Sequence, residues 1–206
     1  MKTFSVMAVV LAFFVAFGCG GNGDGNGDVQ TDNQMAEVPS DIVYTPAVEP
    51  VTVAGVTFYP DSAWINAGPS GMRQADFYLP PQEGQEDSAS VAVYYFGPNQ
   101  GGGIEANLER WVSQVRPDDG IEPVRSEMEA NGMTVHIVET EGTYTGDMGP
   151  MAQNGGQAHE NYRLIGAVVE GPQGNVFFKL TGPSWTAAHM APQFKGMLRN
   201  IEQASM

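Results

Sequence analysis

The side chains that could hold a metal are few. Met148-Gly-Pro-Met151 sets two thioethers three residues apart, a donor pair that soft copper ions accept, and His159 follows in the same glycine-rich stretch. The other two histidines, His136 in a strand-like segment and His189 near the last helical segment, share no ligand spacing with it. Methionines in such a stretch also serve as adaptable contact surface. The expectation is therefore an interaction loop carrying Met148, Met151 and His159, with no metal or cofactor required. Calcium fares no better. Asp24-x-Asn26-x-Asp28 opens like an EF-hand loop, but Val29 stands where that loop needs Gly and Met35 where it needs Glu. Acid–base catalysis needs carboxylates gathered in one cleft with separated pKa values. Here they are scattered: Glu83, Glu86 and Asp87 in one turn, Asp118 and Asp119 in another, and Glu139 and Glu141 at alternate positions of one strand, which reads as a solvated face. No nucleophile elbow occurs, and Gly101-Gly-Gly103 lacks the Lys-Ser/Thr ending of a phosphate loop. No catalytic residue is expected. Of the three tryptophans, Trp64 and Trp111 read as core, and Trp185, beside Gly182-Pro183, as a surface aromatic available for contact.

Strand and helix periods indicate what positions these residues. Val51–Val53, Val56–Tyr59, Arg73–Leu79 and Ser88–Phe96 have strand character. Ile104, Leu108, Trp111, Val112 and Val115 then recur at helical spacing up to Pro117. Val124–Ala130 and Met133–Tyr144 flank Asn131-Gly132, the dipeptide that supplies the positive φ angles of a two-residue type I′ hairpin. Tyr162–Glu170 and Asn175–Thr181 make a second hairpin around Gly171-Pro-Gln-Gly174. Phe194, Met197, Leu198 and Ile201 mark a closing helix, with Pro192 either in its first turn or inside a longer helix begun after Ser184. The predicted order is β-β-β-α-β-β-β-β-α. Hairpins demand antiparallel pairing and two amphipathic helices need a sheet to cover, so the fold class is α+β, an antiparallel sheet flanked by two α-helices. Between the hairpins, Gly142–Glu160 shows no regular period and is predicted to be a loop.

Charge narrows the partners. With 24 acidic against 9 basic residues and a formal net charge of -15, the chain repels nucleic acid backbones. Its single cysteine, Cys19, permits no intrachain disulfide. Lys2 followed by the apolar run Phe4–Phe17 has the grammar of a signal peptide over residues 1–18, too short for the roughly 20 residues of a membrane-spanning helix. Ala16-Phe-Gly-Cys19 resembles a lipobox, with Ala16 where Leu is usual, and the resemblance implies a lipid on Cys19 that attaches the protein to the membrane. Gly20, in place of Asp, resembles sorting to the outer membrane, facing the periplasm. Residues 19–50, rich in Gly, Asn and Asp at their start, read as a flexible tether, and 51–206 as one globular domain.

Two resemblances sharpen this picture. Gly55-Val-Thr-Phe-Tyr-Pro-Asp-Ser-Ala-Trp64 and Phe177-Phe-Lys-Leu-Thr-Gly-Pro183 are similar to the opening and closing segments of the PsbP-like and Ran-binding Mog-like proteins. Tyr95-Phe-Gly-Pro-Asn-Gln-Gly-Gly102, Ala106-Asn-Leu-Glu-Arg-Trp111 and Phe178–Pro183 resemble signatures of a group of uncharacterised exported bacterial proteins. The first resemblance implies a PsbP-like sandwich of an antiparallel sheet between helices, and a binding or assembly role without catalytic residues. The expectation is an envelope-anchored, non-enzymatic lipoprotein whose partner is an envelope protein or small ligand. The alternative is a solute- or metal-handling lipoprotein that uses Gly142–Glu160.

Overall fold

The structure, a computed structural model, describes residues 41–81, 87–118, 120–146 and 157–204. Cys19, Met148 and Met151 lie outside these residues. Strand β1 (Val51–Val53) turns through Ala54 and Gly55, both at positive φ, into β2 (Val56–Phe58). Next come β3 (Ile65–Asn66), β4 (Arg73–Leu79), β5 (Ala89–Tyr94) and helix α1 (Ile104–Val112). They are followed by β6 (Val115–Pro117), β7 (Val124–Ala130), β8 (Met133–Tyr144), β9 (His159–Gly171) and β10 (Gly174–Pro183). Helix α2 (Ser184–Arg199) and β11 (Glu202–Gln203) close the chain. The main sheet runs β3-β4-β5-β10-β9-β8-β6, with β7 also paired to β8, and every pairing in it is antiparallel. A small second sheet has the order β1-β2-β11.

The α+β class is as expected, and the differences are local. Val51–Phe58 does not join the main sheet, because the Ala54-Gly55 turn folds it into a hairpin that β11 completes. β3, β6 and β11 have two or three residues each, too few to show a period in the sequence. Pro192 lies inside α2, which takes the longer of the two predicted forms. The Asn131-Gly132 turn has φ of 50° and 79°, as a type I′ hairpin requires. Strands β8 and β9 also pair with each other, down to Tyr144 opposite His159. His159 and Glu160, predicted as loop, are therefore strand, and Gly142–Tyr144, which the sequence assigns both to the hairpin arm ending at Tyr144 and to the loop, belong to the arm, because β6 and the facing strand supply ladder partners that no local pattern encodes.

Alternation along the strands makes two cores. Phe58, Phe77, Val91, Ile165, Phe178 and Leu180 pack under Met190, Phe194, Met197 and Leu198 of α2. On the other face Leu108 and Trp111 of α1 pack on Val138, Leu164, Val168 and Phe177. Edge-to-face rings tie both layers: Phe58 to Phe178 at 5.1 Å and Trp111 to Phe177 at 6.5 Å between centroids. Among the described residues no helix is long and apolar enough to cross a membrane.

The packed region begins before Val51. Thr45 N–H donates to buried Asp61 Oδ2 at 2.7 Å, Ala47 N–H to Pro60 O at 2.8 Å, and Tyr44 OH to Tyr59 O at 2.7 Å. Part of the predicted tether is thus a strap over the Pro60-Asp61 turn. Burial of the Tyr44 phenol, with Asp61 and Tyr59 beside it, pushes its pKa from 10.0 up to about 12. The folded state then holds this proton more tightly than the unfolded one. The associated stability is complete below pH 10 and is lost as pH rises toward 12. Urea midpoints measured from pH 8 to 12 are expected to fall more steeply for the parent than for Tyr44→Phe. Parallel curves would show that the phenol is not the titrating group.

Candidate functional site

Strand β10 distributes the chemistry. Its alternation sends Val176, Phe178 and Leu180 toward α2, and Phe177, Lys179 and Thr181 to the opposite face. A helix about 10 Å across covers roughly two strands spaced about 4.8 Å apart. On that opposite face α1 lies against β8 and β9. On this face the described helix contacts fall on β8, β9 and β6, while α2, which packs on β5 and β10, lies on the other side of the sheet. Beside α1 is a groove of about 200 Å³. Its floor is Ser90 and Ala92 of β5 with Lys179 and Thr181 of β10. The sheet order puts Arg73 and Tyr94 on one side of it, and Tyr144, His159 and Tyr162 on the other.

Two cations enter this groove, each held by its neighbours. Lys179 Nζ donates to Gln114 Oε1 and to Tyr144 OH, both at 2.8 Å, and lies 4.9 Å from the Tyr144 ring centroid. Arg73 pairs with Asp76. Burial works against the Arg73 charge, but the hydrogen bond to Asp76 and the nearby Tyr94 outweigh it, and its pKa is held above the ordinary value. The far wall is aromatic. Tyr144 and Tyr162 are nearly parallel with centroids 6.1 Å apart, and the His159 ring lies 4.8 Å from Tyr162. Tyr162 OH donates to Asp87 Oδ2 at 2.8 Å, and His159 Nδ1 is 3.9 Å from the same oxygen.

Of the predicted site residues described by the structure, His159 opens β9 and lines the groove. Trp185 is elsewhere, in the first turn of α2 and on the other side of the sheet. It is 45% exposed, with its ring centroid 3.7 Å from that of His189, whose Nδ1 lies 2.9 Å from Trp185 O. His136 stands on β8 between Glu127 of β7 at 3.0 Å and Glu170 of β9 at 2.8 Å. The three histidines are thus in three places. Among the described residues no group of three metal-ligating side chains converges. Trp64 and Trp111 are buried, and Trp64 Nε1 donates to Gln193 Oε1 at 3.0 Å.

Glu139 and Glu141 correct the reading of a solvated face. Both are buried on the α2 side of β8, in step with Val135 and Ile137. Lys195 of α2 meets Glu139 at 2.6 Å, and Arg163 of β9 meets Glu141 at 3.1 Å. Each carboxylate faces its own cation, an arrangement of structural ion pairs. The groove itself was missed in the sequence, although a lysine inside the apolar run Val176-Phe-Phe-Lys-Leu180 was a visible sign of it.

No family model matches this chain, and no curated protein matches it. Among solved structures, cyanobacterial PsbP from Synechocystis sp. PCC 6803 matches with 10% identity over 75% of this chain and 91% of that one, at a TM-score of 0.46. A Pseudomonas aeruginosa protein of unknown function matches with 15% identity over 73% and 93%, at 0.34. The chain has the α+β arrangement, an antiparallel sheet between two helices, that the PsbP-like resemblance implies.

Proposed function

We propose that the protein is a non-enzymatic binding module of the cell envelope, anchored by lipid on Cys19, that offers the groove beside α1 to its ligand or partner. One observation carries the binding site: in a chain of net charge -15, two of only nine basic side chains, Lys179 and Arg73, line the same groove. The alternative of solute handling through Gly142–Glu160 leads to the same place, since Tyr144 and His159 form part of the wall. For the anchor, Cys19→Ala is expected to abolish labelling with radioactive palmitate and to move the protein from the membrane to the soluble fraction. Retained labelling would refute it. For the groove, a photoreactive diazirine amino acid placed at Thr181 in living cells is expected to give a defined adduct by mass spectrometry. The same probe at Trp185, on the far side of the sheet, is expected to give none. An adduct at Trp185 alone, or at neither position, would overturn the reading.

A further inference from the structure

We infer that the protein carries a second binding site, separate from the groove beside α1, for a primary ammonium group on a small apolar body. The site lies where five parts of the chain meet. The strap brings Tyr44 and Pro46, the residue after β2 is Tyr59, the β7–β8 turn brings Asn131, and Asn200 and Glu202 follow α2. Together they line a pocket of about 450 Å³, inside the roughly 300–1,000 Å³ of sites for small organic ligands. None of these residues lines the groove beside α1.

Hydrogen bonding selects a donor as ligand. Asn131 Nδ2 donates to Ile201 O at 2.7 Å, and Asn200 Nδ2 donates to Gly196 O at 2.8 Å. Each amide turns its nitrogen to the backbone and leaves its Oδ1 to accept. Glu202 adds a carboxylate, the one charged side chain in the lining. An anion would meet the Glu202 charge and acceptors that it cannot satisfy, whereas an ammonium brings three N–H donors to them.

The walls suit the same ligand. Tyr44 OH donates to Tyr59 O at 2.7 Å, which fixes the Tyr44 ring at the pocket. The faces of the Tyr44 and Tyr59 rings attract a cation, and Pro46 offers apolar surface to the rest of the ligand. Behind the strap, the Asp61 carboxylate is 2% exposed and accepts from Thr45 N–H and Ala63 N–H, so a second negative charge stands close by. Arg199 lines a different hollow, with Pro192 and Lys195, that meets this pocket at Tyr44, and Lys195 is paired with Glu139. The Arg199 charge therefore stands against those of both Glu202 and Asp61. The net charge of -15 draws cations to the surface as a whole, and this pocket adds the shape and the acceptors to hold one. A divalent metal fits less well, because a hard cation needs more carboxylate oxygens than Glu202 supplies, and among the described residues no three ligating side chains converge.

The test follows the backbone amide NMR signals of Asn131, Asn200 and Glu202 in the full chain, held in nonionic detergent micelles, as three probes of similar shape are added. These are phenethylamine, its neutral counterpart 2-phenylethanol, and the N-trimethylated form of phenethylamine. Saturable shifts at these residues are expected with phenethylamine, and the alcohol should bind at least about tenfold more weakly. The trimethylated probe keeps the charge but has no N–H donor, and it should bind more weakly by a few-fold. In Glu202→Gln the phenethylamine affinity is expected to fall about two- to fivefold while that of the alcohol is unchanged. Tyr59→Leu is expected to weaken phenethylamine by a few-fold and keeps the test open if the other variant does not fold. No saturable shift at these residues, equal affinity for amine and alcohol, trimethylated binding as tight as that of phenethylamine, or phenethylamine affinity unaltered in folded Glu202→Gln or folded Tyr59→Leu would overturn the inference. The Thr181 diazirine adduct reports on the other groove, so either site can fail this comparison without the other.

Discussion

Gly166→Ala is expected to destabilise the protein by about 2–3 kcal/mol, a large effect for one methyl group. Gly166 lies on β9 directly beneath Trp111 of α1, and a Cβ built there would sit 2.1 Å from Trp111 Cε3. The indole cannot swing aside, because Trp111 is buried among Leu108, Leu164 and Phe177. The helix must lift or the ring must leave its rotamer, and both cost packing across the α1 layer. At about 2–4 °C per kcal/mol for a chain of this size, the thermal midpoint should drop by roughly 4–12 °C. The decisive comparison is made in Trp111→Leu, where the six-membered ring that meets the new methyl is gone. There Gly166→Ala should cost much less, a coupling of over about 1 kcal/mol in the double-mutant cycle. Additive effects would show that the glycine serves some purpose other than seating the tryptophan.

Arg163→Met is expected to cost about 3–5 kcal/mol, as removal of one member of a buried ion pair does. The Arg163 side chain is 3% exposed and that of its partner Glu141 is 11% exposed, with Nε 3.1 Å from Oε2. The approach is close without hydrogen-bond alignment, and Nη1 has no hydrogen-bond partner, so the pair is not an optimised one. Truncating the arginine leaves the Glu141 carboxylate in a low-dielectric setting without the cation opposite it on β9. Replacing both, as Arg163→Met with Glu141→Leu, removes the charges together and should recover at least half of the loss. Chemical denaturation of the two single variants and the double one checks this. If the double variant is as unstable as Arg163→Met, the loss comes from the arginine stem and its packing rather than from removal of the cation opposite Glu141.

The elements that local chemistry specifies were legible in advance. Asn131-Gly132 predicted a hairpin because its φ requirements are met within two residues, and the stripe Ile104, Leu108, Trp111 predicted α1 because helical period is a local property. Even the burial of Glu139 and Glu141 was partly visible. They continue the alternation Met133, Val135, Ile137, but their charge argued for solvent until Arg163 and Lys195 were seen opposite them. The groove was not legible in the same way. Nothing local places Lys179 opposite Ala92, some 90 residues earlier, or near Arg73. That requires β10 to insert between β5 and β9.

By itself, then, the sequence determined the turns, the two helices, the alternating faces of the long strands and the α+β class, since each follows from backbone preference and apolar period over a few residues. The tertiary structure alone decided which strands became neighbours, that Glu139 and Glu141 would be buried against cations, and that α1 would cover β8 and β9 rather than the β5–β10 floor beside them. The physical reason is that strand order and helix placement minimise exposed apolar area over the whole chain, a sum over distant residues that no window of the sequence contains.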